Sequence, residues 1–303
     1  MTKVVAVRPY INKTGNNFKV KPFNSWVACG GSCMNGVYPP IGIRKVVHSY
    51  DLIPSLWRRK VTSLCFVQPQ TIYYDTFSSV FFYEIIPFIW DCWPCYDDKL
   101  CKWIDHHKIK TCIFTSEQTA DRIKKRRPFL NILTVTEGID ISAYPKGDLL
   151  VKRGIDFYTF GRQPSYVYKT NLHPLIVERD GTDEEFKYRL QHSKVTVNVP
   201  RCDVVPEQTG GQETLTQRYW ECMLSRNIMI GRAPKELTDL IGYNPLIDID
   251  KEHLENQVKD IIAHIENCQE LVDRNRETAL RMGSWDIRMK QVMKWLKELG
   301  YEV

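Results

Sequence analysis

The chain has no run of about 18 uncharged apolar residues, the length a helix needs to cross a bilayer. Its densest apolar stretch, residues 80–90, is short and broken by Glu84 and Pro87, so no membrane-spanning helix is expected. Nor does a charged-then-apolar leader open the chain, so no secretory signal peptide is expected. The ten cysteines then read as reduced thiols of a cytoplasmic protein. The sequon Asn12-Lys13-Thr14 reads as unused. Nucleic acid is not an expected partner: the net charge is only +6, and no aromatic–basic fingerprint accompanies the two basic clusters. These clusters, Trp57-Arg58-Arg59-Lys60 and Lys124-Lys125-Arg126-Arg127, read as solvated surface, with peripheral contact to anionic membrane or lipid-linked phosphate as the alternative. Residues 1–40 are polar, punctuated by Gly and Pro, and lack the Gly-rich first turn of an ordinary dinucleotide-binding unit.

What is present is a rhythm. With 303 residues, 43% of them hydrophobic, the chain can bury one or two cores. Residues 61–68 and 110–116 read as buried strands, 81–94 as a helix end, a strand and a turn, and 117–125 as a helix. Residues 131–140 read as a strand entering a tight turn, and 155–160 as a strand ahead of Gly161. Residues 174–177 run as a strand into the turn Glu178-Arg179-Asp180-Gly181; 183–190 follow as a polar helix, and 193–201 alternate as a strand stopped by Pro200. Residues 235–237 and 245–250 repeat helix then strand. Leu254, Val258, Ile261, Ile265, Cys268 and Val272 recur at spacings of four and three as one amphipathic helix, and a last helix covers 287–299. Strands alternating with helices imply parallel sheets with crossover helices.

The most informative segment is QETLTQRYWECMLSRNIMIG, residues 212–231, with Glu213 and Glu221 seven residues apart from one another. It reads as loop, helix and strand: Thr214 or Thr216 caps a helix whose body is 218–224, and 228–230 starts a strand. Glu213 then lies in the loop before the helix, and Glu221 on its exposed side. A helix N-terminus with free N–H groups is an anion site, and carboxylates beside it accept from ribose and sugar hydroxyls. Arg218 shares a face with Glu221 and either meets phosphate or pairs with it.

The Glu213-x7-Glu221 spacing, followed by Cys222-Met223-Leu224-Ser225-Arg226-Asn227-Ile228-Met229-Ile230, resembles the donor motif of GT-B glycosyltransferases, specifically the retaining group 1, family 4-like enzymes. Arg218, one turn before the second glutamate, is similar to the R-x-x-E subfamilies. The run 131–140 resembles the word closing the first domain of these enzymes, and Ser284-Trp285 the word where the chain crosses back. The resemblance implies an α/β GT-B fold, two Rossmann-like domains with parallel sheets facing a central cleft, the N-terminal one reduced. The expected domains are 1–147, with helix 286–303 packing back on it, and 148–285 for the donor.

The implied activity is transfer of a sugar from a nucleotide-sugar donor to a glycan or lipid-linked acceptor with retention, in a setting such as bacterial surface polysaccharide synthesis. A nucleotide-sugar epimerase and a non-catalytic nucleotide- or glycan-binding protein on the same fold are the alternatives. By resemblance, Glu213 holds sugar hydroxyls and Glu221 the ribose. Gly161 and Arg162 look like the word whose Arg and Lys hold the diphosphate, Lys169 being the nearest downstream lysine. The amides of Thr214, Leu215 and Thr216 through Gln217, with Arg218, are expected to face the phosphates. Where the family often carries His-Asp, the chain has Trp90-Asp91. Asp91 is a catalytic candidate against a turn-capping role, with His106 or His107 approaching from a neighbouring loop. No metal is expected: Cys92, Cys95, Cys101 and His106 are irregularly spaced for zinc, and Asp248-Ile249-Asp250 reads as a strand end.

Overall fold

The computed structural model describes residues 1–10, 18–50, 57–172, 176–177 and 182–303. The sequon Asn12-Lys13-Thr14, the start of the strand at 174–175 and the turn 178–181 lie outside the described residues. Two compact units are present, Met1–Glu137 with Trp285–Val303, and Gly138–Ser284.

The first unit is built on six parallel strands: β1 Val4–Val7, β2 Cys33–Met34, β3 Arg59–Val67, β4 Phe82–Ile89, β5 Thr111–Phe114 and β6 Asn131–Thr134, in the order β2-β1-β3-β4-β5-β6. Its helices are α1 Val20–Ala28, α2 Ile41–Tyr50, α3 Ile72–Asp75, α4 Asp97–His106, α5 Glu117–Arg126, and the last helix, Trp285–Glu298. Successive strand residues point to opposite faces, which sorts the apolar runs into two cores. Leu64, Phe66, Ile86, Phe88 and Trp90 meet Trp26 of α1 and Trp285, Met289 and Val292 of the last helix. Cys65, Val67, Ile85, Ile89 and Phe114 meet Leu100, Trp103 and Ile104 of α4 and Ile123 of α5. Burial on both faces is why β3 and β4 read as continuous apolar runs. Within the polar, Gly- and Pro-punctuated residues 1–40 no strand was read, yet Val4 and Ala6 of β1 are fully buried inside the sheet.

The second unit carries β7 Ile155–Phe160, β8 Ile176–Val177, β9 Ser193–Asn198, β10 Ile228–Gly231 and β11 Ile247–Asp248, in the order β11-β10-β9-β7-β8, all parallel. Its helices are α6 Ser165–Tyr168, α7 Asp183–His192, α8 Arg201–Val204, α9 Pro206–Thr209, α10 Gln217–Leu224, α11 Lys235–Ile241, α12 Leu254–Ala263 and α13 Gln269–Met282. A capping box starts α7: Thr182 Oγ1 accepts from the Glu185 amide (3.2 Å) while the Glu185 carboxylate accepts from the Thr182 amide (2.8 Å). The single helix expected across 254–272 is two, separated by a 3₁₀ turn at Ile265–Cys268, because His264 leaves helical geometry at φ −121°, ψ 37°. Its apolar spacing still serves one purpose, since Leu254, Val258, Ile265 and Val272 share a core.

The division between units falls at Glu137/Gly138, ahead of the expected 147/148. The reason is pairing within the second unit: Ile139 bridges to Ser284 and donates its amide to Gly283 O (2.7 Å), and Ile139 and Tyr144 are buried in the second unit's core. At the amino edge of that sheet, two buried arginines satisfy carbonyls. Arg153 donates to Ser193 O (2.7 Å) and Ser225 O (2.8 Å), and Arg226 to Gly147 O (2.7 Å). Burial, with the neighbouring Arg226 charge, brings the Arg153 guanidinium down to about 10.

Candidate functional site

Parallel strands end together, so the carboxyl edge of the second sheet collects the turns that follow β7, β9 and β10. Ligands of open α/β sheets bind at this edge. Helix α10 precedes β10 and runs antiparallel to it, which brings its N-terminus to the same edge. Gly161, directly after β7, has φ +65°, and a Cβ there would collide with Nη2 of Arg218 in the first turn of α10. The left-handed backbone favours glycine here, and a Cβ would also push aside the end of the Arg218 side chain. Arg218 donates to Arg162 O (3.4 Å) and lies 5.2 Å from the centre of the Phe160 ring. Its guanidinium therefore belongs to the β7 turn; the pairing with Glu221 weighed from sequence is not the contact it makes.

Thr216 occupies the N-cap of α10 in extended conformation, and its side chain makes no capping bond. The first-turn amides of α10 thus face the edge without a side-chain cap, beside Arg218. Leu215, expected to offer its amide to phosphate, is instead buried and donates to Glu236 Oε2 (2.8 Å). Thr214 is half-buried in the same loop. Arg162 is exposed next to Gly161, whereas Lys169 is exposed at the far end of α6, and no hydrogen bond or ion pair links it to Gly161, Arg162 or Arg218 among the described residues.

The two glutamates are held differently from expectation. Glu213 is mostly buried (13% exposed); Oε1 accepts from Arg232 and Oε2 from the Lys235 amide (2.9 Å) at the start of α11. With Glu236 bonding back to Leu215, this laces the loop before α10 to α11. Arg232 also grips Asp203 through Nε (2.9 Å) and Nη2 (2.8 Å), which holds the Asp203 carboxyl below its usual range. Glu221 is half-buried, not on an exposed helix side, and accepts from the Tyr144 hydroxyl (2.9 Å). Burial and the Glu221 charge push that hydroxyl well above its ordinary pKa, so it stays protonated and donating. Arg232 and Tyr144 were not singled out from sequence. Gly231-Arg232 repeats the Gly-Arg word of Gly161-Arg162 at the end of a strand and was the available signal; Tyr144 had none.

Asp91 belongs to the first unit, at the carboxyl end of β4. It adopts φ +47°, accepts from Gln68 Nε2 (2.9 Å), and its carbonyl accepts from the Trp93 amide (3.1 Å). Asp is among the residues that tolerate this left-handed region. Trp90 is in the core, 4.4 Å from Phe88 and 6.0 Å from Trp285 between ring centroids. The expected approach of His106 or His107 does not occur. Helix α4 leaves the carboxyl edge at Asp97 and runs back about 15 Å, placing both histidines at the amino edge, where His107 packs on Trp103 (5.3 Å).

Cys92 and Cys101 are buried while Cys95 is exposed, and among the described residues no group of three His, Cys, Asp or Glu could hold a metal. All ten cysteines are free. Asp250 accepts from the Glu252 (3.0 Å) and His253 (2.9 Å) amides, a turn-capping role beyond the end of β11. No helix of the described residues is long and apolar enough to cross a membrane.

No protein-family model matches the chain, and no curated protein matches its sequence. Solved structures do. Anabaena HepE in complex with UDP aligns at 10% identity over 98% of this chain and 100% of its own, with a TM-score of 0.59; its UDP-glucose complex scores 0.55. Sucrose-phosphate synthase from Thermosynechococcus elongatus aligns at 10% identity over 99% of both chains with a TM-score of 0.57. AviGT4, a glycosyltransferase involved in avilamycin A biosynthesis, aligns at 10% identity over 99% of this chain and 98% of its own, with a TM-score of 0.55. These neighbours are GT-B glycosyltransferases, and the chain has the GT-B fold.

Proposed function

We propose that the protein is a glycosyltransferase that takes a sugar from a nucleotide donor. The observation that carries this reading is the Gly161 turn pinned under Arg218 at the uncapped N-terminus of α10. Backbone N–H groups at a helix start, with fixed cations beside them, suit a diphosphate and stabilise the charge that develops as it departs. Arg218 and Arg162 supply the cations. Glu221, oriented by Tyr144, receives the ribose hydroxyls. Glu213, held by Arg232 and the Lys235 amide, is assigned the sugar hydroxyls by the resemblance, and Asp91 of the first unit is the remaining catalytic candidate. Lys169, exposed at the end of α6, is the further diphosphate candidate that the resemblance assigns.

In this reading the sugar is transferred with retention, the donor phosphate accepting the acceptor's proton, and the donor is a co-substrate with no metal required. The acceptor is a glycan or lipid-linked sugar, as in surface polysaccharide assembly, and ten free cysteines suit a reducing cytoplasm. HepE's complexes with UDP and UDP-glucose put uridine nucleotides first in the donor panel.

A non-catalytic nucleotide-binding role is the second reading, favoured by the ion pair that occupies Glu213 and by Trp90 filling the core where the family often has histidine. Nucleoside diphosphate release from a panel of nucleotide sugars separates the two. Slow release from one donor supports the transferase; tight binding without release supports the binding protein; neither binding nor release removes both.

A further inference from the structure

Residues 1–50 contain no aspartate or glutamate, against seven lysines and arginines; the first acid in the chain is Asp51. This segment supplies β1, β2 and the whole of α2. The carboxyl edge of the first sheet is therefore free of acids of its own where these two strands end.

Contacts draw four residues of that edge together. The Arg8 amide donates to Met34 O (2.9 Å), which carries the β1–β2 pairing one residue beyond β1. Tyr38, four residues after β2, donates its hydroxyl to Arg8 O. The Tyr10 and Tyr38 rings meet edge to face, 5.4 Å apart between centroids. Arg44, in α2, lies over both rings, 4.9 Å from the centre of Tyr10 and 5.6 Å from that of Tyr38.

The charge of this cluster is uncompensated. Arg44 is 5% exposed, and its guanidinium donates to backbone carbonyls, Nε to Pro39 O and Nη2 to Tyr38 O (3.3 Å). A buried cation ordinarily has a carboxylate beside it. Arg44 has none among the described residues. Asp75, whose charge reaches the Tyr38 hydroxyl, is already held by Lys19, by Thr71 Oγ1 (2.6 Å) and by the Gln68 amide (3.2 Å). Arg8 is exposed, and no carboxylate pairs with it either among the described residues. Tyr10 leaves 46% of its surface exposed next to these two cations. Asp91 follows β4 on the same edge, two strand spacings from the end of β1, or about 10 Å.

We propose that Tyr10, Arg44 and Arg8 form a subsite for an anionic group of the acceptor, which is then an acidic glycan bearing a carboxylate or a phosphate. The open side of the Tyr10 ring packs on the apolar face of a sugar. The two guanidinium groups meet the charge that sugar carries, in the planar geometry that suits both anions. A neutral acceptor would leave the Arg44 charge without compensation. That the glycan is an acceptor rests on the glycosyltransferase reading; that the site takes an acidic glycan is tested without nucleotide.

The test is calorimetric titration of the full chain with two matched pairs of oligosaccharides. One pair is tetragalacturonate and its methyl ester; the other is mannotetraose with and without a phosphate on O6. At least one charged member binds, and its neutral partner binds roughly tenfold more weakly or less. Which charged member binds separates carboxylate from phosphate. Arg44→Gln lowers the affinity roughly tenfold, Arg44→Lys less, and Arg8→Gln roughly threefold. Arg8→Gln and Tyr10→Ala change exposed side chains and keep the parent's melting temperature, so they carry the test should Arg44→Gln unfold. Equal binding of charged and neutral members, no binding of either charged member, unchanged affinity in Arg8→Gln and Tyr10→Ala, or equal affinity for single-stranded RNA each overturn the subsite. Acidic-glycan binding by a chain that binds no nucleotide upholds the site and removes the transferase reading; nucleotide binding without it does the reverse.

Discussion

Replacing Gly161 by alanine tests the arrangement at the carboxyl edge, because two separable terms act at one atom. At φ +65° an L-residue meets the left-handed penalty, about 1–2 kcal/mol. The new methyl also displaces Arg218 from the Phe160 ring, at about 0.5–1 kcal/mol. Together they destabilise by about 2 kcal/mol, which lowers the melting temperature by roughly 4–8 °C for a unit of this size. Moving Arg218 also removes a charge-assisted contact to phosphate, about 1.5–3 kcal/mol, so the nucleotide Kd rises roughly ten- to hundredfold. Gly154→Ala, where an added Cβ meets open space, is the control and should stay within about 0.5 kcal/mol of the parent. In an Arg218→Ala background, Gly161→Ala should cost only its backbone term, so the pair is non-additive. Isothermal titration with nucleotide and thermal unfolding read both terms. Strict additivity, or unchanged nucleotide affinity in Gly161→Ala, refutes the proposed role of the Gly161–Arg218 contact.

Three further outcomes follow from the same contacts. Tyr144→Phe takes a donor from half-buried Glu221 and should destabilise by about 1.5–3 kcal/mol in denaturant unfolding, with weaker nucleotide binding; an unchanged midpoint would speak against the bond. Asp203 has its pKa depressed by Arg232, so it contributes stability above the unfolded carboxylate value, about 3.9, and loses it as pH falls through the folded value. Arg232→Gln should therefore be destabilising at neutral pH, with the gap closing in acid; a gap constant with pH contradicts the pairing. Native thiol titration should label the exposed Cys33 and Cys95 quickly, while Cys65 and Cys222, fully buried with pKa values pushed up to about 12, react only on unfolding.

The layered α/β architecture was readable because buried parallel strands are continuous apolar runs: β3, β4, β5, β7, β9 and β10 each announce themselves locally. β1 was not, because four residues, Val4–Val7, in a Gly- and Pro-punctuated segment carry too little periodicity. The break between α12 and α13 was invisible for the opposite reason, since the spacing of Leu254, Val258, Ile265 and Val272 suits both one helix and two. At the candidate site, the segment 212–231 is local and its loop, helix and strand were legible. Its long-range partners were not: Tyr144 is 77 residues from Glu221, and Arg232 lies 19 beyond Glu213 across α10 and β10. The displacement of His106 and His107 came from the direction of α4, which nearness in sequence to Asp91 does not reveal.

The most direct test of the proposed donor site is thermal stability of the protein across nucleoside diphosphates and nucleotide sugars, with Glu221→Ala alongside. The account predicts selective stabilisation by one nucleotide, approaching about 2.7 kcal/mol at a hundredfold excess over Kd, and its loss in the variant. Stabilisation by none of them, or equal stabilisation of Glu221→Ala, would contradict it.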